Sequence, residues 1–168
     1  ADMTGVDFIS INTDAQDLGN NSAEHRIQIG KTLTKGLGAG ARSTIGHEAM
    51  TTDKEAVQNL IEGADMVFIT CGMGGGTGTG AAPVIAQIAN ELGVLTVGIV
   101  TLPFKFEGPR RLERAMEGIS EIRKVCDTVI IIPNQKLMSI VDKNTTLPDS
   151  FLLADSILHQ AAKGISDL

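Results

Sequence analysis

The spacing of apolar and polar positions changes period several times along the chain, and each change marks an element. Met66-Val67-Phe68-Ile69-Thr70-Cys71, Val94 to Val100 and Thr128 to Ile132 are near-continuous apolar runs, as expected of strands buried on both faces of a sheet. Asp7-Phe8-Ile9-Ser10-Ile11-Asn12 reads as a further strand, and Arg26-Ile27-Gln28-Ile29 as a short alternating edge strand. Between these runs the period lengthens. Asp53 stands where it can cap a helix through about Glu62, with Val57, Leu60 and Ile61 on one face. A second helix runs to Leu92 and is closed by Gly93. Pro109 to Val125 is charged and amphipathic, Gln135 to Val141 reads as a short helix, and Asp149 to Lys163 as a long one. Strand–helix alternation of this kind predicts a parallel sheet with helices on both sides.

Where the strand at 66–71 meets its helix, the chain reads Gly72-Met73-Gly74-Gly75-Gly76-Thr77-Gly78-Thr79-Gly80. A buried strand running through glycines into a helix start is an anion site. Glycines take backbone angles other residues cannot, and they let main-chain N–H groups close on phosphate oxygens. The helix start adds unpaired donors and a positive dipole end, while Thr77 and Thr79 offer hydroxyls. A Walker A loop would need Lys and then Ser or Thr after its last glycine, but Ala81 and Ala82 follow Gly80. Gly76, Gly78 and Ala81 meet the relaxed dinucleotide pattern, which also wants an acidic residue roughly 20 positions on. The next strand ends in Thr101-Leu102-Pro103, without a carboxylate. A nucleotide-dependent metabolic enzyme on a dinucleotide fold is therefore the weaker alternative.

Lys35-Gly36-Leu37-Gly38-Ala39-Gly40-Ala41-Arg42 is a second glycine-rich loop. Built of Gly and Ala, it can bring backbone N–H groups close to a ligand; taken alone, it could equally be a flexible connector.

Composition narrows the partners. At 168 residues the chain has the length of one domain and can bury a core. Its 42% hydrophobic content argues against disorder. A net charge of −6 leaves no basic surplus for a nucleic-acid backbone, and the chain lacks the Trp and Tyr that would stack single-stranded bases. No apolar run approaches the roughly 20 residues of a membrane span, and Ala1-Asp2-Met3-Thr4-Gly5 resembles no signal peptide. Cys71 and Cys126 read as buried free thiols suited to a reducing cytoplasm. His25, His47 and His159 share no spacing with a carboxylate or cysteine partner.

The loop Gly74 to Gly80 reads GGGTGTG, which resembles the signature of the tubulin/FtsZ family of GTPases. The resemblance extends to Asn12-Thr13-Asp14-Ala15-Gln16, Gly36-Leu37-Gly38-Ala39-Gly40-Ala41, Gly63-Ala64-Asp65-Met66-Val67-Phe68 and Phe106-Glu107-Gly108. It continues through Ile132-Pro133-Asn134, Val141-Asp142-Lys143-Asn144 and Gly164-Ile165-Ser166-Asp167-Leu168. These segments occur in family order from Val6 onward, and they resemble the FtsZ branch; eukaryotic tubulin is similar mainly at the signature.

The resemblance implies a tubulin-like, Rossmann-like α/β fold: a parallel sheet with helices on both faces, lacking the family's first strand and its second domain. Residues 1–168 would then be part of the GTP-binding domain. It implies that Gly75, Gly76, Thr77 and Gly78 hold the nucleotide phosphates and that Ala39, Gly40 and Ala41 sense the terminal one. Glu107 and Arg111 resemble sugar-side contacts; without the resemblance, they fit a solvated helix face as well. Asn134, Phe151 and Asp155 match base-binding positions. Phe151 and Asp155, four apart, would share one helix face, although a core ring and a surface charge read as readily from the residues alone. The resemblance further implies GTP or GDP as ligand, with Mg²⁺ held through the phosphates rather than by protein ligands. It implies a head-to-tail homopolymer in the cytoplasm at a bacterial division ring, with division-ring proteins as partners. The catalytic acidic residues are expected beyond Leu168, acting on the neighbouring subunit, so that the chain alone would be inactive. An interaction domain with a degenerate pocket is the third reading.

Overall fold

The computed structural model of the chain describes residues 9–133, apart from 21, 22, 24 and 41. The chain enters through β1 (Ile9–Asn12), turns in the single-turn helix α1 (Ala15–Gly19) and returns as β2 (His25–Gln28). A short helix α2 (Lys31–Thr34) leads to α3 (Ser43–Thr52) and α4 (Lys54–Ile61). Then come β3 (Met66–Gly72), α5 (Thr77–Glu91), β4 (Leu95–Leu102), a 3₁₀ turn (Lys105–Glu107), α6 (Pro109–Arg123) and β5 (Thr128–Pro133).

Among the described residues the strands pair in parallel, as the sequence predicts; the one antiparallel contact is an isolated bridge between Asp14 and Leu37. β1 pairs with β2, Ile11 opposite Ile27. β4 is central between β3 and β5, with Ile69 opposite Gly98 and Ile99 opposite Ile130. Its continuous apolar sequence follows from this place, since six successive residues from Thr96 to Thr101 are buried. Among the described residues the two ladders share no strand pairing. They meet instead through one apolar cluster, in which Ile11, Ile27 and Val67 pack around Ile29, Met50, Val57 and Ala89.

A second cluster lies between α5, α6 and one face of β3–β5, built from Ile69, Val100, Ala86, Ala115, Ile119 and Ile122. Gly98 belongs here, because a Cβ at that position would sit 3.5 Å from Ile122 Cδ1 and 3.4 Å from Cys126 Sγ. On the opposite face Val97 and Ile99 pack with Phe68, Ile130 and Ile132.

Two local expectations change. The sequence shows no clear helix between the second glycine loop and Asp53, yet Ser43–Thr52 is helical. Its Thr-rich ends and central Gly46 depress helix propensity; packing against α5 supplies what propensity lacks. Gly46 permits that approach, since a Cβ there would lie 3.0 Å from Thr77 Cα. Asp53 does precede α4, but its side chain caps nothing in that helix. Its Oδ2 accepts a hydrogen bond from the Gly30 N–H at 2.7 Å, tying the start of α4 to the left-handed residue before α2. The predicted helices at 135–141 and 149–163 lie outside the described residues.

Candidate functional site

β3 delivers the chain to the C-terminal edge of its ladder, the side on which open parallel sheets bind ligands. Pairing continues one residue beyond the strand, Met73 N–H donating to Thr101 O at 2.9 Å. The backbone then reverses at Gly74, whose φ of +107° is costly for any residue with a side chain. Both polar groups of Gly74 are occupied. Its N–H donates to Thr79 Oγ1 at 2.7 Å, a buried bond, and its carbonyl accepts from Arg114 Nε at 3.1 Å. The turn is thus held between α5 and α6. Thr79, expected to offer its hydroxyl to an anion, is 5% exposed and turned inward to brace the loop.

Past this brace the donors are free. α5 begins at Thr77 with no side-chain cap, and among the described residues no acceptor is found for the N–H groups of Gly75, Gly76, Thr77 or Gly78. Four successive unpaired donors at a helix N-terminus form a concave positive site for an anion.

The flanking residues divide the glycines by task. A Cβ on Gly75 would meet nothing nearer than Arg111 Nη2, at 3.6 Å. This approach is open, with a guanidinium beside it. A Cβ on Gly76 would lie 2.9 Å from Ala39 Cβ and 3.0 Å from Arg42 O, so Gly76 makes room for the second glycine loop. Its φ of −81° is one that most residues adopt. The structure therefore brings Ala39 and Gly40 against the signature; Ala41 lies outside the described residues. Gly78 lets the helix start close on β3, with Gly72 O 3.0 Å from its would-be Cβ.

Glu107 and Arg111 are brought together at the α6 end of the site. Glu107 Oε2 accepts from the Phe104 N–H at 2.7 Å, and the Glu107 N–H donates back to Phe104 O at 3.0 Å. Its other oxygen lies 2.9 Å from Arg111 Nε. That buried Nε–H has no aligned acceptor, so the contact is an ion pair without a directed hydrogen bond. The Glu107 carboxylate, 10% exposed, retains lone pairs for a sugar hydroxyl, since a carboxylate offers about four. Asn134, Phe151 and Asp155 lie outside the described residues.

Beneath the loop, burial pushes the Cys71 thiol up to about 12, with Cys126 adding to the effect. Cys126 is pushed up to about 11, by burial first and Asp127 second. Both remain protonated thiols at neutral pH, which suits neither a nucleophile nor a metal ligand. Among the described residues no group of His, Cys, Asp and Glu side chains could hold a metal ion, and no helix is long and apolar enough to cross a membrane.

Sequence reasoning missed Arg114 and Thr13. Arg114 stands three residues after Arg111, on the same side of α6, a spacing that could have marked it. Thr13 makes a 2.7 Å hydroxyl–hydroxyl contact to Thr77; the sequence marked only the segment Asn12–Gln16 around it and gave Thr13 no role.

A strand, a braced glycine turn and a helix start with free donors define an α/β domain of the phosphate-cradling class. Residues 2–142 match the GTPase domain of the Tubulin/FtsZ family, and the chain belongs to that family. It is 50% identical to FtsZ from M. jannaschii in an empty dimer, with a TM-score of 0.91 over 95% of this chain and 46% of that one. A mutant of the same FtsZ gives 49% identity and a TM-score of 0.93, over 98% of this chain and 49% of that one. CetZ2 from Haloferax volcanii, solved as a GTPγS-bound protofilament, shares the fold at 24% identity and a TM-score of 0.82, over 95% of this chain and 47% of that one. The chain thus spans about half the length of the structures it matches.

Proposed function

We propose that the chain is part of the nucleotide-binding domain of an FtsZ-type GTPase, and that the phosphates of GTP or GDP bind at Gly75–Gly78. The row of four unpaired N–H groups, with the Arg111 guanidinium beside Gly75, carries this reading. Donors of this kind would make charge-assisted hydrogen bonds to phosphate oxygens. Ala39 and Gly40, packed on Gly76, would register the terminal phosphate, with Ala41 next to them. Glu107 and Arg111 would meet the sugar. The choice of guanine is assigned to Asn134, Phe151 and Asp155 on the family resemblance. A carboxylate at Asp155 would accept both guanine N1–H and N2–H₂, a donor pair adenine lacks. Mg²⁺ would enter with the nucleotide phosphates and water.

Hydrolysis in this reading is completed by a neighbouring subunit in a head-to-tail filament. The likeness to an FtsZ solved as a dimer supports self-association. A cytoplasmic role at a division ring, with the partners found there, is the narrower reading that the FtsZ branch suggests.

Equilibrium titrations with GTP, ATP and NAD test the proposal. GTP should bind and compete with GDP, while ATP and NAD bind far more weakly. Tighter binding of NAD would overturn the reading in favour of a dinucleotide enzyme, and binding of none of the three would favour an interaction domain.

A further inference from the structure

Thr13 follows β1 and is fully buried. Its carbonyl accepts from Thr34 Oγ1 at 3.3 Å in a buried bond, which fixes the residue from the α2 side. Its own hydroxyl lies 2.7 Å from Thr77 Oγ1, and geometry alone allows either oxygen to donate. Chemistry settles the direction. A hydroxyl has one proton to give and two lone pairs, and among the described residues Thr77 is the sole partner of the Thr13 hydroxyl. Were Thr77 the donor, the Thr13 proton would be buried without an acceptor, the costly arrangement. Thr77 is half-buried at the first turn of α5, so its proton need not find an acceptor within the protein. Thr13 therefore donates and Thr77 accepts.

We propose that Thr13 is a positioning residue for the nucleotide: by donating to Thr77, it leaves the Thr77 hydroxyl proton committed to a phosphate oxygen. This rests on the nucleotide reading above. Two effects follow. The Thr77 hydroxyl no longer samples its three staggered positions, and a hydroxyl that accepts a hydrogen bond becomes a stronger donor. The contact also links the β1–β2 ladder to the phosphate loop at a point where the strands themselves do not pair.

A double-mutant cycle on GTP affinity, read by titration of the full-length protein, tests this. Thr77→Val should weaken binding about tenfold or more, the usual worth of a hydrogen bond to a charged group. Thr13→Val should weaken it by about three- to tenfold through the lost orientation, and Thr13→Ser should restore binding to within about twofold. In the Thr77→Val background, Thr13→Val should cost nothing further. Thermal unfolding without nucleotide reports any packing loss separately, and Thr13→Ala replaces Thr13→Val in the cycle if the valine variant does not fold. Equal losses in both backgrounds, or a Thr13→Ser variant as poor as Thr13→Val, would overturn the positioning role alone. An unmutated protein that fails to bind GTP would overturn the nucleotide reading, and this inference with it.

Discussion

Six of the nine residues from Gly72 to Gly80 are glycine, and their roles differ. Gly74 is needed for its positive φ. Gly76 and Gly80 are needed for close approach, the latter because a Cβ would run into the Ser43 carbonyl of α3. Gly75 alone borders open space at the cradle. Gly75→Val should therefore fold with an unchanged melting temperature yet bind GTP at least about tenfold more weakly, as its side chain displaces a charge-assisted bond. A calorimetric melt paired with a titration checks both halves. The thiols give a second expectation. Because the folded-state pKa of Cys71 is raised from 9.0 to about 12, its contribution to stability is complete below pH 9. It declines as pH rises from 9 toward 12, where the unfolded chain has lost the proton and the folded one keeps it. The slope is at most about 1.4 kcal/mol per pH unit. Denaturant midpoints across that window should fall for the parent protein and fall less for Cys71→Ala.

The elements that the sequence makes legible are those whose apolar period is strong. β4 announces itself because both faces are covered; β3 and β5 carry similar apolar runs although their residues are mostly only partly buried. α6 is legible because its Ile119 and Ile122 face the sheet while Glu113, Glu117, Glu121 and Arg123 face water. α3 is illegible for the opposite reason: its stability comes from a partner distant in sequence. That crossing is held at glycine contacts, Gly46 against Gly76 and Gly80 against Ser43. Gly80→Ala should push the helices apart and cost about 1–3 kcal/mol, the usual range for overpacking, measured as a lowered denaturant midpoint. A variant as stable as the parent would show that α3 is not clamped there. Asp53 illustrates the same limit on a smaller scale. Its place before a helix suggests a cap, but Gly30, 23 residues away in sequence, takes the carboxylate.

At the scale of the molecule, strand–helix alternation was enough to anticipate the parallel pairing of the described strands. It could not anticipate that the described strands form two ladders joined by side chains, because pairing partners are not encoded in local period. The candidate site was legible through its glycines and through Glu107 and Arg111, all of which the fold brings to one edge. The supporting roles of Arg114 and Thr13 were not, since each acts through a contact between elements, and Thr79 was read as facing an anion rather than bracing Gly74. If neighbouring subunits complete hydrolysis, phosphate release per subunit at saturating GTP should rise with protein concentration and then level off. A rate independent of concentration down to the lowest measurable level would place the whole reaction within one subunit.

The bracing of Gly74 next to four free donors also has a consequence for amide hydrogen exchange. The Gly74 amide, bonded to buried Thr79, should exchange slowly whether or not nucleotide is present. The amides of Gly75, Gly76, Thr77 and Gly78, with no partner of their own, should exchange within the fastest class when empty and slow sharply once phosphate oxygens occupy them. One short peptide spanning 72–80 would then carry both the reporter of occupancy and its own internal reference. Protection rising equally at Gly74 would mean instead that the ligand stiffens the entire loop.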